Sequence, residues 1–252
     1  SAFFKQQLAH LELDNVSAES MDDLLRLIEN MIAVPTSGSL GEVALSAWEP
    51  IEDAEVLQKY QLALKQLRQK YPEVKFVDDV QSSLTRNHFE QGEAYQDEEK
   101  YELAIAEYTK AIAANPDDSA SYRHRGTCYY CLRDYKQAIV DLTESIRLDP
   151  TNVNSYQNRG LTHSNMQDSA AAIEDYSRAI EIEPKRAVNF FYRGQAYFQK
   201  RDADAAIRDL ATASQLDPED AATHNMLGHA YELKGDARKA QAHFRRAKEL
   251  GF

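Results

Sequence analysis

The sequence predicts an all-α protein, and the main evidence is a repeat with a period of 34 residues over positions 85–252. Five of the 9 glycines and four of the 7 prolines follow this period: Gly92, Gly126, Gly160, Gly194 and Gly228, with Pro116, Pro150, Pro184 and Pro218. An alanine stands twelve residues after each of these glycines. Repeats of this length are typical of stacked helix pairs, because a single pair cannot bury its apolar face alone.

Residues 1–84 lack the period and are expected to form an acidic helical region of their own. They carry 7 basic and 14 acidic residues, and so contribute −7 to the formal net charge of −12. Apolar spacing predicts helices in three stretches, residues 3–13, 21–33 and 51–71. The segment 35–50 contains Ser and Gly and is predicted to be a loop. Two interpretations stay open, a small helical domain or a cap that covers the first repeat.

Each repeat is predicted to be two short antiparallel helices. The repeat glycine and an aromatic or histidine four residues earlier, such as Gly160 and Tyr156, share one face of the first helix. The periodic alanine and a large residue four places later, such as Ala172 and Tyr176, share one face of the second. Four aspartates fall between the helices and are expected to cap the second one: Asp134, Asp168, Asp202 and Asp236. The periodic prolines then end that helix.

The middle three repeats carry a matched pair of charges. Arginine precedes the repeat glycine in these units alone, and only these units place an aspartate at one position of the second helix. The pairs are Arg125 with Asp141, Arg159 with Asp175, and Arg193 with Asp209. We interpret them as structural ion pairs between the two helices, since arginine and carboxylate can bind in a bidentate manner.

At these positions the sequence resembles the tetratricopeptide repeat family. The resemblance covers residues 85–252 in five units: 85–118, 119–152, 153–186, 187–220 and 221–252. The family's usual tryptophan is replaced by tyrosine, phenylalanine or histidine, which keeps a planar ring in the core. The resemblance implies a right-handed α-α superhelix whose first helices line a concave groove.

The implied groove is a surface for binding a peptide or protein segment. Its candidate residues combine amides, rings and one arginine: Arg123, His124, Tyr130, Asn154, Gln157, Asn158, Phe191, Tyr192, Gln195, Phe198 and Asn225. Amides can pair with the backbone of an extended peptide, while rings offer apolar contact. The alternative is that some of these rings pack internally or serve self-association.

One binding mode of the family is not expected here. Chaperone adaptors of this family bind a C-terminal carboxylate with Lys, Asn, Asn, Lys and Arg on three successive first helices. The matching positions in this chain hold Phe89, Glu93, His124, Asn154 and Asn158. The cations of the clamp are therefore missing.

No motif in the sequence indicates catalysis, a cofactor or a metal site. Cys128 and Cys131 form a C-x-x-C, but they lie inside a predicted helix without a second cysteine pair. We interpret both thiols as small apolar residues. There is no phosphate-binding glycine loop and no hydrolase or zinc-protease motif. We therefore expect a protein that is not an enzyme.

Charge limits the partners that are expected. A net charge of −12 disfavours nucleic acid, and no uncharged run is long enough to insert into a membrane, so we expect a cytoplasmic location. Five cations cluster near the C-terminal end: Arg238, Lys239, Arg245, Arg246 and Lys248. They could associate with the acidic N-terminal region of another copy and give a homo-oligomer.

The sequence thus predicts a protein-interaction scaffold that binds a peptide or protein segment in its concave groove. Two alternatives remain, a self-assembling structural protein that binds its own chain and a regulatory subunit of an enzyme complex.

Overall fold

A computed structural model of the chain describes residues 7–12, 40–46, 62, 64–66, 69–70 and 75–252. The chain divides into two compact units, which are described separately. One comprises Ser1–Gln91 with Lys110–Pro116, and the other Gly92–Thr109 with Asp117–Phe252.

The first unit contains a parallel sheet of three strands in the order β1-β2-β3. The strands are β1 (Gln7–Glu12), β2 (Leu40–Ser46) and β3 (Lys75–Asp78). After an irregularity at Gln7 the register runs from Leu8 opposite Glu42 to Glu12 opposite Ser46. On the other side β2 pairs with β3 from Glu42 opposite Lys75. Parallel neighbours require long connections, which the intervening segments supply.

Two sequence predictions for this unit are wrong. The predicted helix over residues 3–13 contains strand β1, and the predicted loop over 35–50 contains strand β2. Short apolar runs fit a helix and a strand equally well, and the partner strands decide between them. The predicted helix over 21–33 lies outside the described residues. Within 51–71 the described positions are helical, with Leu64 buried and Leu62 exposed.

The repeats confirm the all-α solenoid of helix pairs. Ten helices follow β3 within residues 75–252: α1 (Asp79–Asp97), α2 (Tyr101–Ala114), α3 (Ser119–Cys131), α4 (Tyr135–Leu148), α5 (Val153–Asn165), α6 (Ser169–Ile182), α7 (Ala187–Gln199), α8 (Ala203–Leu216), α9 (Ala221–Lys234) and α10 (Ala237–Glu249). The second helices of the first four pairs, α2, α4, α6 and α8, each end two residues before a periodic proline, as predicted.

Side chains cap both helices of most pairs. The four predicted aspartates accept hydrogen bonds from backbone N–H groups of the second helix, as Asp134 does from Gln137 at 3.2 Å and Asp168 from Ala171 at 3.1 Å. Asp118, Asn152 and Asp220 cap the first helices α3, α5 and α9. These caps satisfy N–H groups that a helix terminus leaves without partners.

The turn between the two helices of each pair contains one residue in the left-handed backbone conformation, which the sequence did not predict. Five residues spaced by the repeat have positive φ, from 58° to 86°: Glu99, Arg133, Gln167, Arg201 and Gly235. Only the fifth unit places glycine there, so the other four turns adopt a conformation that costs a side-chain-bearing residue about 1 kcal/mol.

The repeat glycines allow each pair of helices to approach closely. A Cβ on Gly160 would lie 2.9 Å from the Tyr176 ring, and one on Gly126 would lie 2.9 Å from Leu142. Gly92 faces Tyr108, Gly194 faces Leu210 and Gly228 faces Phe244 in the same way. The first four of these large residues are fully buried, and together with the periodic alanines they form the core of the solenoid.

We predict that Gly160→Ala lowers the free energy of unfolding by about 1–2 kcal/mol, because the new methyl group would overlap the immobile Tyr176 ring. Urea unfolding followed by circular dichroism measures the change. Gly235→Ala is the comparison, because a Cβ at this position would have no neighbouring heavy atom within 4 Å. This substitution would cost only the strain of a left-handed backbone, about 1 kcal/mol of stability. Wild-type stability of Gly160→Ala would contradict the close-approach explanation.

Candidate functional site

Arg159 is a polar residue of a first helix that holds the repeats together and is not one of the candidate groove residues. Its Nη2 and Nε donate to the carboxylate of Asp175 at 2.6 and 3.0 Å, and the Asp175 side chain is only 4% exposed. Its Nη1 also donates to Thr143 Oγ1 on α4 at 3.1 Å. One guanidinium therefore joins α5 to its own partner helix α6 and to the second helix of the preceding unit.

The same arrangement occurs in the neighbouring units, and we call it the Arg–Asp clip. Arg125 binds Asp141 at 2.7 and 2.8 Å and Thr109 at 3.0 Å. Arg193 binds Asp209 at 2.7 and 2.9 Å and Ser177 at 3.0 Å. Hydrogen bonds to Asp141 and Asp209 raise the pKa of Arg125 and Arg193. The predicted structural ion pairs are thus confirmed, with a link between units that the sequence did not reveal.

The fifth unit replaces the clip with two histidines. Leu227 stands in the position of the arginine, and His243 stands in the position of the aspartate. His243 Nδ1 lies 3.3 Å from His224 Nδ1, with the rings inclined by 22°. Tyr231 stacks on His243, and Lys239 lies over Tyr231. Such a bond needs one N–H and one lone pair, so two protonated histidines cannot form it.

A polar cluster joins α1, α2 and α3. Gln96 Oε1 accepts hydrogen bonds from Tyr108 Oη at 3.0 Å and from Cys128 Sγ at 3.6 Å, and it lies 3.2 Å from His124 Nδ1. Arg123 Nη2 donates to His124 Nε2 at 2.7 Å. This contact requires a lone pair on Nε2, so His124 is neutral and its Nδ1–H donates to Gln96. Burial, helped by Arg123, lowers the pKa of His124 to about 4.

Several candidate groove residues bind a side chain of a neighbouring repeat. Asn158 Nδ2 donates to Thr127 Oγ1 at 2.9 Å, and Gln157 Nε2 donates to Oδ1 of the fully buried Asn189. Tyr130 Oη accepts a hydrogen bond from Asn165 at 3.0 Å. These side chains therefore connect successive first helices and have less capacity left for a ligand.

The candidate rings also contribute to packing. Phe191 and Phe198 pack against the buried cluster of Ala206, Leu210, Leu227 and Ala230. Tyr192 stacks on the buried Tyr176 with centroids 5.6 Å apart, and it contacts Phe191 edge-on. All three rings are half-buried, so each has one side in the core and part of its surface accessible.

Three candidate amides have no such role. Asn154 on α5 is exposed, and Gln195 on α7 and Asn225 on α9 are half-buried. Within residues 85–252, their side-chain amides form no hydrogen bond. They occupy the second, ninth and fifth positions of their units, which share one face of a first helix. These amides are thus free to bind a ligand.

Other chemistry finds little support in the described residues. Cys128 is buried, Cys131 is exposed, and neither is in a disulfide. Burial raises the pKa of the Cys128 thiol to about 12, which keeps it protonated and unreactive. No group of three or more His, Cys, Asp or Glu in that part of the chain has the geometry of a metal site. Every helix there is too short or too polar to cross a bilayer.

The cationic end predicted from the sequence lies on α10. Arg246 pairs with Glu249 at 3.4 Å and Lys239 with Asp236 at 3.5 Å. Arg238, Arg245 and Lys248 are exposed. A depression of about 570 Å³ that the sequence did not predict lies beside the clip of unit three, between Tyr156 and Arg178.

The folded repeats and the polar contacts between them define a protein of stacked helix pairs. Tetratricopeptide repeat profiles match residues 89–153, 153–186 and 221–250, and a TPR repeat profile matches residues 194–235. The chain belongs to the tetratricopeptide repeat family. Members of this family are typically non-catalytic, which supports a general role as a protein-interaction scaffold.

Solved structures show the same fold. The crystal structure of MamA protein is 24% identical, with a TM-score of 0.62 over 67% of this chain and 92% of that one. MamA 41-end from Desulfovibrio magneticus RS-1 is 20% identical, with a TM-score of 0.63 over 66% and 94%. YrrB, described as a TPR protein with an unusual peptide-binding site, is 20% identical, with a TM-score of 0.58 over 65% and 84%. No curated protein sequence gives a significant match.

We predict that Arg159→Met lowers the free energy of unfolding by about 2–4 kcal/mol, because it leaves the buried Asp175 carboxylate without its cation. Arg178→Met is the matched control, since its pair with Glu181 is more than half exposed and should contribute less than about 0.5 kcal/mol. Urea titration of both variants tests the difference. Equal losses would mean that the clip is no stronger than a surface ion pair.

We also predict that acid weakens the fifth unit through His243. Burial lowers the pKa of His243 below its usual value of 6.5, and the charge of a protonated His224 lowers it further. Below pH 6.5 the unfolded chain therefore binds a proton that the folded chain does not, and stability falls as the pH falls. His243→Asn should lose less stability than wild type between pH 7.5 and pH 5. The control is His229→Asn, because His229 is exposed. A pH dependence of stability in His243→Asn equal to that of wild type would refute the prediction.

Proposed function

We propose that this protein is a non-enzymatic scaffold that binds an extended peptide or protein segment along the first helices of repeats two to five. The observation that carries the proposal is the set of unbonded amides, Asn154, Gln195 and Asn225, one in each of three successive units. An amide offers both a donor and an acceptor, which matches the alternating C=O and N–H groups of an extended chain.

The half-buried rings would supply apolar contact beside these amides. Phe191 and Tyr192 each keep part of their surface accessible while the core holds them in position. Rings immobilised in this way lose little side-chain entropy on binding. YrrB, which has the same fold and is 20% identical in sequence, is described as having a peptide-binding site, and this supports the proposal.

We predict that the triple substitution Asn154→Ala, Gln195→Ala and Asn225→Ala weakens peptide binding by at least about tenfold while helicity stays unchanged, because loss of three amide contacts affects the ligand and not the solenoid. The probe is a phage-displayed library of random dodecapeptides selected on the wild-type protein. Affinities of the selected peptides, made synthetically, are then measured by fluorescence polarisation on both proteins.

Gln215→Ala with Gln241→Ala is the matched control, because both amides are exposed on second helices. It should bind the peptides like wild type. The mass of each variant from light scattering is measured in parallel. A substitution that leaves peptide affinity intact and alters only the oligomeric mass would refute the peptide groove and favour self-assembly.

A further inference from the structure

Arg123 differs from the clip arginines because no carboxylate among the described residues pairs with it. Arg123 is half-buried, and the one hydrogen bond that its side chain forms among the described residues goes from Nη2 to the neutral His124. Its Nε is buried and finds no hydrogen-bond partner in the part of the chain that the structure describes. Removing a guanidinium from water without a paired anion costs solvation free energy that no ion pair offsets.

The nearby charges do not compensate for this burial. Burial lowers the pKa of Arg123 even though Tyr108, Glu93 and Asp118 act in the opposite direction. The Asp118 carboxylate is already used to cap α3, where it accepts the N–H of Ser121 at 3.0 Å. Glu93 is exposed, so water screens its charge. By contrast, the bidentate aspartates raise the pKa of Arg125 and Arg193.

The position of Arg123 connects it to the proposed groove. It is the fifth residue of its unit, which is the position of Gln157, Phe191 and Asn225 in the following units. His124 in turn lies 3.2 Å from Gln96, which also binds Tyr108 and Cys128. This network holds one end of the guanidinium in place, so a ligand would meet a preorganised cation.

We propose that Arg123 binds the side-chain carboxylate of an aspartate or glutamate in the peptide that occupies the groove. This inference rests on the proposed function and specifies its partner as a peptide with an acidic residue. A carboxylate can accept two parallel hydrogen bonds from one guanidinium, and it would neutralise a charge that the fold leaves uncompensated. Arg123 stands 34 residues after Phe89 and so occupies the place of the clamp's first lysine in a frame shifted by one unit. The other clamp positions of that frame hold Thr127, Asn158, Val188 and Tyr192, which supply no further cation for a C-terminal carboxylate. We therefore assign Arg123 to an internal side-chain carboxylate.

The test begins with the phage-displayed dodecapeptide library, whose peptides are fused through their C-termini and so present only internal carboxylates. Peptides selected on wild-type protein should share an Asp or Glu at one position. Peptides selected on Arg123→Gln should lose that preference and keep their apolar residues. If no peptide is selected on wild type, the groove itself fails, and this inference fails with it. If peptides are selected without a shared acid, the groove stands and the role of Arg123 is refuted.

A double-substitution cycle then measures the contact. One selected peptide is made with an amidated C-terminus, once with its acid and once with the matching amide. On wild type, the change from acid to amide should weaken binding about tenfold, and on Arg123→Gln it should change affinity less than about twofold. Arg208→Gln is the control, because this arginine is exposed on the second helix α8 and its loss changes net charge equally.

A purely structural role predicts a different outcome. If Arg123 only orients His124, Arg123→Gln weakens acid and amide peptides by the same factor, which would overturn the proposal. Circular dichroism and urea titration show whether the variant is folded. Arg123→Lys provides a second folded variant, which keeps the charge but not the paired hydrogen bonds, and should retain an intermediate preference for the acid.

Discussion

The close approach of the two helices in each repeat, at the glycine of the first helix and the large residue sixteen positions later, is the constraint on which the other features depend. Gly160 against Tyr176 and Gly126 against Leu142 leave no room for a methyl group. This approach brings Arg159 within bonding distance of Asp175 and buries the carboxylate. It also presses the periodic alanines into the core. A wider separation of the helices would remove the clips as well as the core.

Polar contacts join the units on two sides of the first helices. On one side, each clip arginine reaches a hydroxyl of the preceding unit, such as Thr143 or Ser177. On the other side, amides and hydroxyls connect neighbouring first helices, as Asn158 does with Thr127. A buried ion pair gains little net free energy beyond its desolvation cost. The bidentate geometry of the clips does restrict how the two helices of a pair can lie against each other. Rigid joints of this kind would hold the proposed peptide surface in one shape.

Much of this architecture follows from sequence, and the exceptions have physical reasons. The period, caps and Arg–Asp pairs appear in one dimension because each is local or repeats at equal intervals. Left-handed turn residues such as Arg133 and Gln167 were missed because their side chains give no signal of the backbone conformation. The strands of residues 7–12 and 40–46 depend on partners distant in sequence. For the candidate site, the type of residue was predictable, but the use of Gln157 and Asn158 between units depended on three-dimensional contacts.

The clip geometry has a consequence for how neighbouring units can be joined. Each clip arginine contacts one residue sixteen positions later, in its own unit, and another sixteen positions earlier, in the preceding unit. The arginine and the earlier residue therefore lie on opposite sides of a unit boundary. The boundaries at 152/153 and 186/187 therefore carry interchangeable joints, and a duplicated copy of unit three could be inserted at either one without an orphaned charge. At 220/221 the joint is different, because Ala211 and the buried Leu227 replace the hydroxyl and the arginine. Within residues 85–252, the boundary at 220/221 is thus the one that the clip hydrogen bond does not cross.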